Sequence, residues 1–201
     1  MTVALEPGFD KVFDTQKFYR IMLDVMARPG KIGLLPAVDL CPPSGLDVYA
    51  AGIAFTLLDG ETGFAVLPEE NDWQDYLRLN TGSGSKPVAG AEFIFANGKF
   101  NLPEINAVSR GSLLSPEQGG TLIVQVDRVT ESGQGVKLTL TGPGIKDSSR
   151  MVIAGFDPAN LERVLSLNQE FPLGVDVFFV DTAGNLAAMP RSSSVEWEVT
   201  A

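Results

Sequence analysis

The chain has 201 residues, of which 44% are apolar and 20% are charged, as is typical of a globular protein with one substantial core. Its net charge is −10, and its Lys and Arg residues are scattered, so the sequence argues against binding to nucleic acid or to an anionic membrane. No apolar run approaches the ~20 residues that span a bilayer. The N-terminal stretch lacks a signal-peptide pattern and Cys41 is the only cysteine, so we expect a cytoplasmic protein.

The first half of the chain alternates predicted helices and strands. A helix capped by Asp14 or Thr15 carries apolar residues at helical spacing and ends at an Arg-Pro-Gly sequence. The apolar, Ala-rich stretch 46–58 predicts a buried helix, and Asn71 or Asp72 is expected to cap a third one. Strands are predicted at 31–35, 64–67 and 91–96, loops at 36–45 and 81–87, and a short helix near 103–108.

Strands dominate the second half. The apolar stretch 121–126 and the alternating stretch 136–141 are predicted to pair as a hairpin. Asp157 and the proline after it mark a helix start. The short run 175–180 is almost entirely apolar, which favours a strand buried on both faces. With strands at 186–189 and 195–199, it is expected to form the nucleus of a sheet.

This order of elements predicts an α/β fold with a mixed sheet. The sequence contains no internal repeat, no low-complexity tract and no linker long enough to separate two domains. We therefore expect one domain over residues 1–201.

The composition limits the chemistry that this chain can perform by itself. It has no histidine, which excludes Ser-His-Asp and Cys-His arrangements and removes the commonest metal ligand. One cysteine cannot form a Cys-rich zinc site or hold an iron–sulfur cluster. No spaced Asp/Glu loop suggests a magnesium or calcium site. We expect no catalytic residue, no metal and no cofactor.

Two glycine-containing stretches are candidate anion sites. In 81–87, Lys86 is followed by proline where a phosphate loop has Ser or Thr, so a flexible surface turn is the better interpretation. Gly142 and Gly144 flank a proline after the 136–141 strand. They could cradle an anion through backbone N–H groups, or simply turn the chain sharply.

Asp176 and Arg191 complete the candidate ligand-binding set with Gly142 and Gly144. Asp176 lies in an otherwise apolar strand, where a carboxylate is costly to bury unless it is paired. It could serve a site, cap a loop or pair with Arg191. Arg191 precedes three serines and could hold a phosphate or carboxylate, or lie in an exposed loop or a subunit contact. Nothing near Cys41 in sequence would make that thiol reactive.

Several stretches resemble one known family, the H subunit of the bacterial carbon–phosphorus lyase core complex, which serves phosphonate utilisation. The resemblance is most specific in Phe-Pro-Leu-Gly-Val-Asp at 171–176 and in Ala-Met-Pro-Arg at 188–191. It extends to 18–30, to PEQGGTLIVQV at 116–126 and to LTLTGPGI at 138–145.

The resemblance implies a three-layer α/β/α fold with a mixed sheet. That fold is similar to the large domain of pyridoxal-phosphate-dependent transferases but lacks the cofactor. It also implies a homodimer in isolation and partnership with the G, I and J subunits. Together these subunits make a ribose 1-phosphonate 5-triphosphate from ATP and alkylphosphonate and then cleave the carbon–phosphorus bond. The family offers no catalytic residue to transfer to this chain.

Three hypotheses follow. The first is a non-catalytic assembly subunit of that complex, with an apolar contact surface. The second is a small-molecule binder or enzyme that acts on phosphonate or nucleotide through the Gly-rich loops and Arg191. The third is an unrelated interaction module.

Overall fold

Two sheets and four α-helices make up the part of the chain that the computed structural model describes, residues 6–200. The helices are α1 (Phe13–Ala27), α2 (Val48–Leu57), α3 (Asn71–Thr81) and α4 (Pro158–Leu167). The strands are β1 (Gly33–Leu34), β2 (Gly63–Leu67), β3 (Gly84–Ser85), β4 (Phe93–Asn97), β5 (Thr121–Val126), β6 (Arg128–Thr130), β7 (Gly135–Thr141), β8 (Ser149–Ala154), β9 (Asp176–Asp181), β10 (Asn185–Met189) and β11 (Ser194–Thr200).

The larger sheet has the strand order β1-β10-β9-β5-β4-β2-β3. Strands β9, β5, β4, β2 and β3 run parallel, and β10 and β1 add antiparallel pairings at one side. This confirms the predicted α/β class with a mixed sheet. β9 lies between β5 and β10 and is buried along five of its six residues, as its apolar run predicts.

Successive residues of the central strands contribute to two separate apolar cores, because side chains alternate between the faces of a sheet. Phe178 and Val180 of β9 pack in one cluster with Phe18, Ile53 and Leu77, which belong to α1, α2 and α3. The alternate residues of β9 pack in a second cluster with α4 and the smaller sheet, which includes Val177, Phe179, Leu161, Val164, Leu138 and Ile153. Three helices therefore cover one face of the large sheet, while α4 and the small sheet cover the other.

The predicted hairpin between 121–126 and 136–141 is wrong. β5 is buried at its consecutive central residues and lies inside the parallel sheet, whereas β7 alternates buried and partly exposed residues. A strand that alternates in this way suits a sheet with one exposed face, and β7 pairs with β8 and β11 in the smaller sheet, order β11-β7-β8-β6. The 195–199 strand therefore does not join β9 and β10 in one sheet, and β6 and β8 were not predicted.

The helix starts were predicted with mixed success. Asp157 accepts a hydrogen bond from the Ala159 amide at 2.9 Å and caps α4, as expected. In α1, Asp10 accepts from the amides of residues 12 and 13, while Asp14 and Thr15 lie inside the helix. Likewise, α3 begins after Glu70, which makes no side-chain cap, so neither Asn71 nor Asp72 is its cap. A carboxylate just outside the first turn reaches the free amides better than one inside it.

The stretch 81–87 is more ordered than a flexible turn. Ser83 is fully buried, and the two residues of β3 pair with the start of β2. Lys86 forms an ion pair with Glu92 at 2.9 Å. The short helix predicted near 103–108 is a 3-10 helix, Pro103–Ala107. Cys41 is exposed in the loop predicted at 36–45. Within residues 6–200, no helix has the length and apolar character needed to cross a membrane.

Candidate functional site

Asp176 and Arg191 meet at the amino end of β9. The antiparallel pairing of β9 with β10 places Met189 opposite Val177, so the chain that leaves β10 passes Asp176. Arg191 donates three hydrogen bonds to this carboxylate: from its backbone N to Oδ1 at 2.8 Å, from Nη2 to Oδ2 at 2.7 Å and from Nε to Oδ2 at 3.1 Å. Of the roles considered for Asp176, the structure shows the pair with Arg191.

The remaining donors of Arg191 also have partners within the protein. Nη1 donates to the Pro116 carbonyl at 2.7 Å, and Nη2 reaches the Gly119 carbonyl at 3.4 Å. A side chain at Gly119 would collide with Nη1, so this close approach depends on a glycine. The Arg191 side chain is 14% exposed and is not in an exposed loop. Its guanidinium joins β9 to the 116–119 turn and has little donor capacity left for a ligand.

A cleft of about 440 Å³ opens beside this ion pair. Its lining includes Pro116 and Glu117 of one loop and Phe171 and Pro172 of another. Phe171 is 68% exposed. Among the residues that line the cleft, Arg191 and Asp176 neutralise each other, and Glu117 also carries a charge.

The two predicted glycines do not form one site with this pair. Gly144 has φ +82°, and an added Cβ would collide with the Ala27 carbonyl oxygen at the end of α1. Gly142 has φ +134°, and its added Cβ would lie 3.0 Å from the Ser192 carbonyl oxygen, next to Arg191 in sequence. The structure thus brings Gly142 near the loop after Arg191 and Gly144 against α1. Close backbone approach and left-handed geometry account for glycine at both positions.

A second cleft, which the sequence analysis missed, lies at the carboxyl ends of the parallel strands. Its volume is about 370 Å³. Its lining includes Asn97 at the end of β4, Asp127 after β5 and Thr182 after β9. Asp47 at the start of α2 and Lys99 also line it. Ligands of open α/β sheets commonly bind at this edge. A polar residue at the end of each of three apolar strands, or directly after it, was the signal that sequence reasoning could have used.

The polar groups of this cleft are largely engaged with one another. Gln125 accepts from the Asp47 amide at 3.0 Å and donates to the Gly45 carbonyl, which fixes the loop before α2. Lys99 pairs with Asp127 at 2.7 Å. Burial raises the pKa of Asp47, and the nearby charge of Asp181 adds to the rise. These effects outweigh the hydrogen bonds from the first amides of α2, which lower the pKa.

Among residues 6–200, no group of three or more Cys, Asp or Glu side chains could hold a metal ion. The carboxylates and the lysine of the second cleft could hydrogen-bond hydroxyl groups of a ligand, but they do not form a nucleophile with an adjacent base.

Residues 7–196 match the family described as bacterial phosphonate metabolism protein (PhnH). The chain is 31% identical over 180 residues to the putative C-P lyase subunit protein HtxG of Stutzerimonas stutzeri, covering 90% of this chain and 85% of that protein. It is 28% identical over 192 residues to the alpha-D-ribose 1-methylphosphonate 5-triphosphate synthase subunit PhnH of Rhizobium meliloti (strain 1021), covering 94% of each. The match spans nearly all of the described elements and agrees with the resemblance seen in the sequence, and the chain therefore belongs to the PhnH family of bacterial phosphonate metabolism proteins.

Proposed function

We propose that this protein is a non-catalytic subunit of the carbon–phosphorus lyase core complex, required for phosphonate catabolism through assembly. The observation that carries the proposal is the family match over residues 7–196, together with two relatives that are both named as subunits. In this proposal the complex forms ribose 1-phosphonate 5-triphosphate, and this chain contributes contacts rather than reacting groups.

The chemistry of the side chains supports a structural role. The chain has no histidine, and its one cysteine lies exposed in a loop. Arg191, for which an anion-binding role was one of the alternatives, is paired with Asp176 and with two backbone carbonyls. A ligand phosphate would have to displace these short, charge-assisted hydrogen bonds.

Exposed apolar side chains suited to a partner lie on two loops, and one of them, Phe171, lines the cleft beside that pair. Leu113 and Leu114 are 75% and 96% exposed on one loop, and Phe171 is 68% exposed on another. Arg110 joins the two loops: its Nε donates to the Leu167 carbonyl at 2.7 Å, and its carbonyl accepts from the Gly174 amide at 3.0 Å. Apolar side chains held outward on braced loops are the kind of group that becomes buried in a stable interface.

The finer features of the proposal come from the family resemblance. We assign the G, I and J subunits as partners, a homodimer to the isolated protein, and the cytoplasm as its location. A single domain over residues 1–201 with three-layer α/β/α packing is proposed with them. The position of α1, α2 and α3 on one face of the large sheet, and of α4 with the small sheet on the other, is the observation that supports that packing. The likeness to pyridoxal-phosphate-dependent transferases without the cofactor is proposed from the resemblance alone.

Co-expression with tagged G, I and J subunits tests the assembly role. We expect the chain to co-purify with them and to restore growth on phosphonate as the sole phosphorus source in a strain that lacks it. The double variant Leu114→Glu, Phe171→Glu should reduce co-purification, because it buries charge in the contact. Leu79→Glu, on the 47% exposed Leu79 of α3, is the matched control. A chain that never associates with the three subunits would contradict the proposal.

A second candidate is a small-molecule site, and the carboxyl-edge cleft around Asp47 and Lys99 is the observation that favours it. The other ligand-binding candidates are Gly142, Gly144, Asp176 and Arg191, taken separately because the glycines do not share one site with the ion pair. Titration calorimetry of the isolated protein with ATP and with methylphosphonate separates this candidate from the first. Heat of binding that is lost in Lys99→Met would support the cleft, and no heat at millimolar ligand would reject the candidate.

A further inference from the structure

The outer edge of β11 is the longest open strand edge in the described part of the chain. β11 ends the smaller sheet, and its seven residues pair with β7 on one side only. The other edge strands of the two sheets are short: β6 has three residues, and β1 and β3 have two each. Proteins normally shorten or cover a strand edge, because its free N–H and C=O groups pair readily with another chain. An open edge of seven residues therefore points to an interaction.

The two faces of β11 differ in chemistry. On the inner face, Val195 and Trp197 pack against the apolar core, and Val199 in the same row is 60% exposed. On the outer face stand Glu196 and Glu198, both exposed. The edge thus offers an incompletely covered apolar row on one side and an acidic row on the other.

The charges of the protein itself compensate this acidic row only in part. Glu198 forms an ion pair with Lys137 of β7 at 2.6 Å, and this lysine lowers the pKa of the glutamate. Glu196 lies opposite Thr139, which carries no charge. A neighbouring strand on the open side would therefore face net negative charge.

This charge pattern argues against a second copy of the chain as the occupant. Residues directly opposite in a strand pair lie on the same face of the sheet, so glutamates of one copy face outer-row residues of the other. Two-fold antiparallel pairing centred on Trp197 sets Glu196 against Glu198, and pairing centred on either glutamate sets it against itself. Parallel pairing in register also opposes like charges. Like charges directly opposite destabilise a strand pair.

We propose that the open edge of β11 binds an extended segment of a different polypeptide, with Lys or Arg at alternate positions and apolar residues between them. The basic residues lie against Glu196 and Glu198, and the apolar residues extend the row of Trp197 and Val199. The backbone of the segment forms the hydrogen bonds that β11 leaves open, as in strand addition to other sheet edges. The inference rests on the proposed function only in that such a segment belongs to an assembly partner.

The test uses the full-length protein and a labelled seven-residue peptide that alternates Lys and Val. We expect this peptide to bind in a fluorescence anisotropy titration and to slow amide hydrogen exchange across 194–200. Glu196→Lys should weaken binding about tenfold or more, because it turns a favourable cross-strand charge pair into repulsion. Glu162→Lys, an exposed position on α4 with the same change of charge, should leave the affinity unchanged.

Two control peptides separate strand addition from simple charge attraction. A peptide that alternates Glu and Val should not bind, and a Lys-Val peptide with N-methylated alternate amides should bind about tenfold more weakly or worse, because it cannot complete the ladder. The proposal would be overturned if the methylated peptide bound as tightly as the Lys-Val peptide, or if both Glu variants lost the same affinity. Slowed amide hydrogen exchange outside 194–200 would also overturn it. Because no partner subunit is present in this assay, its failure leaves the assembly role to the co-purification test.

Discussion

Replacement of Phe178 by alanine tests the central place of β9 in the fold. Phe178 is 6% exposed and stands opposite Ile123 of β5 and Ala188 of β10. Loss of the ring leaves a cavity that the small side chain of Ala188 cannot fill. For a buried Phe→Ala change we expect a cost of about 3–5 kcal/mol in the free energy of unfolding.

Urea denaturation followed by tryptophan fluorescence measures this cost. Trp73 is 4% exposed and lies in the same apolar cluster as Phe178, so its emission reports on unfolding of that core. Phe100→Ala is the control: Phe100 is 52% exposed, and we expect a loss of less than about 1 kcal/mol. A loss below about 1 kcal/mol for Phe178→Ala would refute a central β9 and place this strand at an edge.

Three further predictions follow from individual contacts. Gly144→Ala should cost about 1–3 kcal/mol, because φ is +82° and the new Cβ collides with backbone. Asp181→Asn should cost about 2–4 kcal/mol, because its buried carboxylate accepts four N–H bonds and an amide cannot accept them all. Burial would raise the pKa of Glu92, but hydrogen bonds from Lys86 and from backbone amides outweigh it and lower the pKa. The stabilisation by Glu92 is therefore full at neutral pH and is lost as pH falls through its folded-state pKa, below 4.5.

Each of these three predictions has a matched control in thermal or urea unfolding. Gly60→Ala should be nearly neutral, since no atom lies within 4 Å of the added Cβ; a similar cost at both glycines would contradict the collision argument. Asp147→Asn, at an exposed position, should also change little, and a harmless Asp181→Asn would exclude the four-bond role. For Glu92→Gln, the stability difference from the unmodified protein should shrink between pH 7 and pH 3, and a constant difference would contradict the assigned pKa direction.

Local patterns predicted many elements correctly but could not predict which strands pair. The apolar run in β9 and the alternation in β11 each identified a strand, and Asp157 identified the start of α4. Pairing depends on residues far apart in the chain, so the expected hairpin of β5 with β7 was wrong. β8 was missed although its four-residue apolar run is as long as those that predicted the strands at 64–67 and 186–189.

The amino-acid sequence by itself determined the chemical inventory: no histidine, one cysteine and a net charge of −10. It also suggested the pair of Asp176 with Arg191. The inventory and this suggestion depend only on which residues are present and how they are spaced. Only the tertiary structure decided that this arginine is also engaged by the Pro116 and Gly119 carbonyls, more than 70 positions away. It likewise decided that the polar ends of three strands meet in one cleft and that β11 keeps an open edge. Burial and hydrogen-bond pairing are properties of segments brought together by folding, and no single stretch of sequence carries them.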